Sequence, residues 1–447
     1  MSKENVIDDI NPNPYPSTSS AWILVLILTF TYVLSFVDRF ILGLLIEPIK
    51  KDLGLSDTQI GLLLGPAFAI FYATMGVPLG WAADRLKRVW ILASGIILWS
   101  FATAASGISK TFSHLFIARM SVGFGEATLN PCAFSMISDS FPPEKRGLPI
   151  AFYSAALSLG AATASLLGAA ILTWVQANEN IILPILGQVS AWQLTFLILG
   201  IPGVFFGVLF FFIKEPIRIK TSKNLVQGRK ANPIDMFKYI AKKWKVFATF
   251  LPIFCFLTIT AYSQGWLAPM FQRTWGWTPR DYALVNGFIL LACGPLSINL
   301  AGWLSDKWYS KGYTDAPLLV AIIGALITIP TSILAPLMPS GEWCFVMLAI
   351  NTIGLTWLSA TGITALVNII PADIRAQIIA FYYMVISITG LMLGPTAVGL
   401  LTDNIFGEQD IRYSMVAMPI IFGIPLLLIL PFSRKFYRAE YQSINQN

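Results

Sequence analysis

Four charged residues lie within stretches of sequence that are otherwise apolar. Asp38 and Arg39 are adjacent in a run near the N-terminus, and Arg119 and Glu126 are seven residues apart in another run. Seven residues are close to two helical turns, about 10 Å along one helix face. A carboxylate beside a guanidinium can serve as a protonation switch, because burial disfavours its charge and the guanidinium favours it. These residue types predict a network that exchanges protons and holds an anionic group.

The elements that must position these charges are membrane-spanning helices. Of the 447 residues, 56% are hydrophobic and 12% are charged, which is too apolar for a soluble protein of this length. A helix needs about 20 apolar residues to cross a bilayer, and the sequence contains twelve such runs, six in each half. We therefore expect an all-α membrane protein with two pseudo-symmetric six-helix bundles. The expected segments are an N-terminal tail 1–21, a first bundle 22–213, a basic linker 214–245, a second bundle 246–432 and a C-terminal tail 433–447.

The distribution of basic residues predicts the orientation. Most of the 30 lysines and arginines lie in segments that would share one face with both termini. The positive-inside rule then places both termini in the cytoplasm, and we expect a bacterial inner membrane. Because this bias accounts for the net charge of +7, the charge does not indicate nucleic-acid binding. Within the linker, Pro233 begins an amphipathic segment that predicts either a short interfacial helix or an ordinary basic loop.

Familiar enzyme motifs are absent from the sequence. It contains no HExxH, no P-loop and no GxSxG string, so an enzyme is not expected. The four cysteines form no CxxC pair, which argues against a disulfide framework or a metal site. We expect no cofactor, and we expect the protein to act as a monomer with membrane lipids, protons and a small amphipathic substrate as its partners.

The four membrane charges should form one network. Each costs roughly 2.5–3.5 kcal/mol to bury, so four unpaired charges would cost on the order of 10 kcal/mol. We expect Arg119 and Glu126 to be partners, Asp38 and Glu126 to be the proton-coupling sites, and Arg39 and Arg119 to bind substrate. The alternative is that the network only holds the first and fourth helices together, although apolar packing would do so without desolvating four ions.

Two duplicated strings show that the halves share one architecture. Residues 142–153 return as 371–382, and residues 80–84 return as 302–306. When the two halves are aligned at the same offset, the four membrane charges correspond to uncharged residues in the second half. Repeated halves around a central, asymmetric charge cluster indicate alternating access, in which two bundles rock about one site.

The duplicated strings also predict contacts between the halves. Asp84 should lie at the cytoplasmic surface near the start of the eleventh helix at about Asp373, where unpaired N–H groups favour an acid. The repeat suggests a second contact, between Asp306 and Arg146. The alternative is a basic loop that only sets orientation. The expected latch residues are Gly80, Asp84, Arg85, Arg88, Arg146, Asp306 and Arg375.

These strings resemble those of a known group. The string 80–88 resembles the loop motif of the major facilitator superfamily, and 119–131 resembles its fourth-helix motif. More narrowly, Asp38-Arg39-Phe40, Gly125-Glu126-Ala127 and the strings 212–216 and 394–403 are similar to bacterial members of the Spinster family. That resemblance implies proton-linked export of lysolipids or sphingoid-type lipids, with the acids of the first and fourth helices as candidate proton sites. Anion:cation symporters share several of these strings, and the fifth span lacks the Gly-Pro pair of the antiporter motif, so symport and antiport both remain open.

The second half offers aromatic and neutral polar groups to a central cavity. We expect Tyr262, Trp357, Tyr382 and Tyr383 to contact substrate. A cavity that is ionic on one wall and aromatic on the other suits an amphipathic molecule. The prediction is a proton-coupled transporter of amphipathic lipids or related organic anions. The alternatives are a symporter that imports small carboxylates or sugar acids through a tight hydrophilic site, and, from other classes, a channel or an intramembrane enzyme.

Overall fold

The computed structural model describes residues 15–142, 145–177, 182–183, 187–218, 233–371 and 374–445. Its α-helices are α1 (Thr18–Leu44), α2 (Ile46–Leu53), α3 (Asp57–Leu64), α4 (Pro66–Arg85), α5 (Arg88–Ser106), α6 (Phe112–Glu126), α7 (Leu129–Ser140), α8 (Gly147–Ser154), α9 (Ala156–Gln176), α10 (Ala191–Phe210), α11 (Pro233–Lys242), α12 (Trp244–Ser263), α13 (Leu267–Trp275), α14 (Pro279–Ser310), α15 (Ala316–Leu334), α16 (Gly341–Val367), α17 (Arg375–Leu401), α18 (Ile411–Met418) and α19 (Ile424–Asn445). Strands β1 (Ile182–Leu183) and β2 (Gly187–Gln188) form a small antiparallel hairpin between α9 and α10.

Within the described residues, eleven helical segments are long and apolar enough to cross a membrane. The sequence predicts twelve spans. The fourth predicted span is present as two shorter helices, α6 and α7. They have 15 and 12 residues and are separated at Ala127 and Thr128. Neither helix alone reaches the roughly 20 residues of a crossing. The hydroxyl of Thr128 donates to the carbonyl oxygen of Gly125 at 2.7 Å, a local bond that accompanies the break.

The helices form two bundles, as predicted. In the first, α1 packs on α9, α5 on α10 and α4 on α6; in the second, α12 packs on α17, α15 on α16 and α14 on α16. The bundles meet where α9 packs on α14 and where α3 and α4 pack on α17. We call the side where α1 begins and α19 ends the terminal face, and the other side, with α2 and the hairpin, the opposite face.

Two segments at the terminal face are helical in addition to the membrane spans. The segment from Pro233 is helical as α11, and its Tyr239 hydroxyl donates to the carbonyl oxygen of Ile369 at 3.1 Å. The C-terminal segment, expected as a tail, continues α19, and Glu440 pairs with Lys243 at 2.5 Å. Residues 1–14 and 219–232, parts of the expected tail and linker, lie outside the described residues.

A buried carboxylate fixes the end of α19 to the start of α15. Asp315 accepts hydrogen bonds from Arg434 and Arg438, both at 2.8 Å. Burial raises the pKa of Asp315, but the hydrogen bonds and charges of Arg438 and Arg434 outweigh burial and hold that pKa below its usual range. The cluster therefore stays ionised at neutral pH.

Glycines bring the two bundles into close contact near the opposite face. A Cβ added at Gly65 would lie 2.2 Å from the carbonyl oxygen of Leu391, and one at Gly399 would lie 2.3 Å from that of Asp57. Small residues permit such backbone approach between membrane helices. At Gly76, further along α4 toward the terminal face, nothing lies within 4 Å of the same position. The two bundles therefore touch near the opposite face and diverge toward the terminal face.

This contact predicts that Gly65→Ala prevents full closure of the opposite face, because a methyl group at that position has no room. The readout is alkylation of Thr396→Cys, which lies against Gly61 between the bundles, by a membrane-impermeant maleimide in a background without the four native cysteines. We expect Gly65→Ala to raise the labelling rate and the matched control Gly76→Ala to leave it unchanged. Equal rates in the two variants would show that the glycine contact does not hold the face closed.

Candidate functional site

A cavity of about 1160 Å³ lies between the two bundles. Most of its wall is apolar, with Phe36 and Phe40 of the first bundle and Leu257 of the second as examples. Near the opposite face its lining includes Gly43 and Gly265, which are so close that a Cβ on Gly43 would lie 2.9 Å from the carbonyl oxygen of Gly265. Toward the terminal face its lining reaches Phe237 of α11 and Gln377 near the start of α17. The cavity is thus closed near the opposite face and extends toward the terminal face.

An ion pair lies at the closed end of this cavity. Arg39 Nε donates to Glu126 Oε2 at 2.6 Å, with the Arg39 side chain 10% exposed and that of Glu126 fully buried. The guanidinium carbon also lies 5.2, 4.7 and 4.6 Å from the ring centroids of Phe36, Phe68 and Tyr72. A cation near several aromatic faces is stabilised by their negative faces. Arg39 lines the cavity, so this charge is within reach of a bound molecule.

Arg119 completes the network in a different way from the prediction. Its Nη1 donates to the backbone carbonyl oxygen of Asp38 at 3.1 Å, and its Nε has no hydrogen-bond partner in the described part of the chain. Arg39 and the backbone of Asp38 on α1 therefore meet Glu126 and Arg119 on α6, but the partner of Glu126 is Arg39. The expected pairing of Arg119 with Glu126 is wrong because two turns separate them by about 10 Å along one helix, whereas Arg39 reaches Glu126 from the facing helix.

The predicted aromatic contacts are only partly at the cavity. Tyr262, Tyr382 and Tyr383 line it. Tyr383 is 51% exposed, whereas Tyr382 is only 3% exposed and packs on Phe254 with ring centroids 5.6 Å apart. Trp357 does not line the cavity; its Cβ packs on Gly324 of α15, and its Nε1 is buried. The substrate contact expected of Trp357 is therefore wrong for this conformation, because helix packing turns the residue into its own bundle.

The opposite face is closed by an ion network that the sequence did not indicate. Arg273 at the end of α13 donates to Asp57 at 2.7 and 2.9 Å and to Glu47 at 2.8 Å. Lys50 pairs with the same Asp57 at 2.6 Å and with Glu408 at 2.9 Å. The side chain of Asp57 is fully buried, and its charge is compensated by two cations, Lys50 from the first half and Arg273 from the second. The network therefore joins the first bundle to the second.

A second contact at this face joins the same halves through a helix end. Asp403, just after α17, accepts hydrogen bonds from the backbone N–H groups of Asp57 at 3.1 Å and Thr58 at 2.6 Å. These are unpaired donors at the start of α3, where an acid is stabilised by the helix dipole. The sequence predicted this kind of contact between the second span, now α3 and α4, and the eleventh span, now α17, but at the terminal face.

Among the residues that the structure describes, the expected latch residues at the terminal face form no contact between the halves in this conformation. Arg85 lies over the Trp81 ring at 4.0 Å, Arg146 donates to Phe141 at 2.8 Å, and Asp306 is exposed. Arg375 donates to the nearby carbonyl oxygen of Ile370, and Gly80 has only Pro131 near its Cβ position. Asp373 and the side chain of Asp84 lie outside the described part of the structure. Because the cavity extends to this face, a latch here would require the other conformation.

Arg88 has a different position from the one expected. It is 1% exposed and donates to Glu215 at 2.9 Å, to Ser135 at 2.8 Å and to Asp139. All of these partners belong to the first half. Arg88 therefore joins the start of α5 to α7 and to the segment that follows α10, and its assignment as a contact between the halves is wrong for this structure.

Residues 28–338 match the family profile of the Major Facilitator Superfamily. The chain belongs to this superfamily. It is 29% identical over 392 residues to an MFS-type efflux pump of Mycolicibacterium smegmatis, over 86% of this chain and 85% of that protein. It is 32% identical over 184 residues to a probable L-galactonate transporter of Escherichia coli, over 41% of this chain and 37% of that protein. These proteins are transporters, and the chain is a membrane transporter rather than an enzyme.

The fold also resembles a solved transporter structure. A bacterial homologue of the human lysosomal transporter Spinster, in an inward-facing and unoccupied conformation, superposes with a TM-score of 0.78 at 25% identity. The match covers 96% of this chain and 99% of that one. The resemblance to the Spinster family that the sequence indicated is thus confirmed.

The observed pairing predicts that Arg39 and Glu126 are energetically coupled. Removing one partner of a buried pair costs about 3–5 kcal/mol because the other charge is left uncompensated. We expect Arg39→Met and Glu126→Gln each to lower the melting temperature in detergent, and the double variant to lose less than the sum. The matched cycle of Arg119→Met with Glu126→Gln should show weaker coupling. Equal or stronger coupling for Arg119 would contradict the pairing.

Proposed function

We propose that the protein is a proton-coupled secondary transporter that moves amphipathic lipids, of the lysophospholipid or sphingoid type, or related organic anions by alternating access. The observation that carries this proposal is the position of the Arg39–Glu126 pair at the closed end of a large, mostly apolar cavity. The pair supplies one charged position, and the rest of the wall supplies apolar surface. That division matches a molecule with an anionic head and a hydrocarbon chain.

The size of the cavity supports an amphipathic cargo. Ligand sites for drug-sized molecules occupy about 300–1,000 Å³, and this cavity is about 1160 Å³. The wall that Arg39 shares also includes the apolar side chains of Leu257, Leu290, Ile298 and Phe134. A hydrocarbon chain lying along these residues would bury apolar surface at about 25 cal/mol per Å².

The ion pair supports a route for proton coupling. Glu126 and a substrate anion need the same guanidinium, because Arg39 is the cation of this network that lines the cavity beside Glu126. Protonation of Glu126 removes the competing charge and leaves Arg39 able to form charge-assisted hydrogen bonds with the substrate. Asp38, whose backbone carbonyl oxygen accepts from Arg119, is the second candidate proton site. Proton and anion would then bind cooperatively.

The two faces support alternating access. In this conformation the opposite face is closed by Arg273, Asp57 and Asp403, and the cavity extends to the terminal face. We assign the terminal face to the cytoplasm of a bacterial inner membrane, because that face has the excess of basic residues. In the other conformation Asp84 and Asp306, with Arg146 and Arg375, would close the terminal face while the Arg273 network opens.

Import of a small sugar acid is the second candidate function. The partial similarity to a probable L-galactonate transporter favours it. Arg39 could bind a carboxylate as readily as a phosphate. A sugar acid has many hydroxyl groups, however, and the cavity wall is mostly apolar, so this candidate ranks below the lipid cargo.

Reconstitution into proteoliposomes tests the proposal. The substrates are a lysophospholipid panel and a panel of sugar acids including galactonate, each with and without a pH gradient. We expect gradient-driven accumulation of lysophospholipid in the wild type. Asp38→Asn should lose accumulation while it retains binding. Glu126→Gln, which resembles the protonated acid, should bind lipid without the pH dependence of the wild type and should also lose accumulation.

The control is Glu342→Gln, which neutralises an exposed acid at the start of α16 and should behave as the wild type. Gradient-driven accumulation at the wild-type level in the Asp38→Asn, Glu126→Gln double variant would reject the proton route. Accumulation of sugar acids alone would reject the lipid cargo and retain the transporter mechanism.

A further inference from the structure

The side chain of Gln264 connects the cavity wall to a buried polar cluster of the second bundle. It begins the short turn Gln264–Trp266 between α12 and α13, and it lines the cavity. Its Nε2 donates to Oδ1 of Asn351 at 3.0 Å. Asn351, on α16, is 1% exposed. The rotamer of a cavity residue is therefore set by a residue inside the bundle.

The partners of Asn351 determine which way both amides point. Asn351 Nδ2 faces the carbonyl oxygen of Thr328 at 3.3 Å, which can only accept, and the hydroxyl of Thr331 at 2.9 Å. That hydroxyl already donates to a carbonyl oxygen of its own helix at 2.7 Å, so toward Asn351 it also accepts. The amide nitrogen of Asn351 must face these acceptors. Its oxygen then faces Gln264, which must present its own nitrogen.

This arrangement leaves Gln264 Oε1 as an acceptor at the cavity. One of the two N–H groups of its amide is donated to Asn351, and the described part of the chain supplies no hydrogen bond to the oxygen, which is therefore available as an acceptor. The next residue, Gly265, meets Gly43, which is one helical turn, about 6 Å, beyond Arg39 on α1. The acceptor and the Arg39 cation therefore lie on facing elements at the same closed end of the cavity.

We propose that Gln264 is a specificity-determining residue, whose Oε1 accepts a hydrogen bond from a hydroxyl group of the substrate while Arg39 binds the anionic group of the same molecule. Asn351 is the positioning residue that holds this acceptor in place. The inference rests on the proposed function and narrows its substrate class. A lysophospholipid has a free glycerol hydroxyl close to its phosphate, whereas a diacyl phospholipid has both of its acyl positions esterified. The Gln264 acceptor thus favours the singly acylated lipid.

The expected size of the effect follows from the polar group left unpaired. A site built to accept a hydroxyl discriminates against an analogue that lacks it, because its own polar atom loses its partner. An intramolecular hydrogen bond contributes about 0.5–1.5 kcal/mol net. Capping the hydroxyl should therefore weaken binding up to about ten-fold.

The test compares two probes in the full-length protein. One is lysophosphatidic acid with a single oleoyl chain, and the other is the same lipid with its glycerol hydroxyl capped as a methyl ether. Calorimetry in detergent gives the Kd of each, and the readout is their ratio. We expect the wild type to prefer the free hydroxyl, Gln264→Leu to bind both probes equally, and Asn351→Ala to reduce the ratio. Gln264→Met is the second variant if Gln264→Leu does not fold.

The matched control is Thr352→Val, one residue along α16 from Asn351. Its hydroxyl donates to the carbonyl oxygen of Leu348 in its own helix at 2.9 Å, so the variant should keep the wild-type ratio. A wild type that binds both probes equally, or a Gln264 variant that keeps the preference, would overturn the inference. Loss of the preference in Thr352→Val as well would assign the effect to general disturbance of α16 and would also overturn it.

The same measurements distinguish an error in the proposed lipid substrate from an error in the role of Gln264. If the wild type binds neither lipid, the lipid cargo is wrong, and Gln264 is judged on galactonate and its fully O-methylated form. Preference for free galactonate that is lost in Gln264→Leu supports the acceptor without the lipid. Equal binding of both forms, or binding of neither, overturns the acceptor too.

Discussion

The ion pair between Arg39 and Glu126 is the interaction on which the rest of the site depends. A fully buried carboxylate within a membrane span is tolerated only with a cationic partner, and Glu126 obtains that partner from a neighbouring helix at 2.6 Å. The pair thereby fixes α1 against α6 and places the Arg39 cation at the end of the cavity. The facing wall of the second bundle is neutral, with Tyr262 and Gln264 at the cavity. Charge on one wall and neutral hydrogen-bonding groups on the other give the site its polarity.

The contacts between the halves explain how that site can be exposed to one face at a time. Near the opposite face, α3 is held to α17 by Asp403 at its N-terminus and by glycines without room for a Cβ. Along α4 toward the terminal face, the space beside Gly76 is open. The duplicated motif 80–84 lies at the end of α4 that is nearer the terminal face. If α4 and α17 rock as rigid bodies, contacts at one end form as those at the other end break.

Much of the fold could be predicted from the sequence, because the length of apolar runs and the repetition of motifs can be read directly from it. The two bundles followed from such patterns, and the helix from Pro233 was one of the two alternatives that they left open. The partner of Glu126 did not, since spacing along one helix suggested Arg119 and could not reveal which facing helix comes closest. Trp357 was misplaced for a similar reason, because helix rotation within a bundle is set by packing.

The opposite-face network was missed because its members look like ordinary charges at span ends. Arg273 and Asp57 are 216 residues apart, and no local pattern connects them. A weak signal was present, since Lys50 and Arg273 are among the few basic residues on a face that the positive-inside rule leaves poor in them. Basic residues retained against that bias are candidates for a structural role.

The central claim is that protonation of Glu126, together with substrate binding at Arg39, is coupled to the change of the open face. Double electron–electron resonance in lipid nanodiscs tests it most directly, with the four membrane charges left intact. One spin pair at Lys51→Cys and Gln409→Cys spans the opposite face, and another at Leu86→Cys and Lys311→Cys spans the terminal face; all four positions are exposed. The account predicts that acidification in the presence of lysophospholipid changes both distance distributions in opposite directions, with one face widening as the other narrows. Distance distributions that do not change with pH or lipid, or that change independently at the two faces, would contradict it.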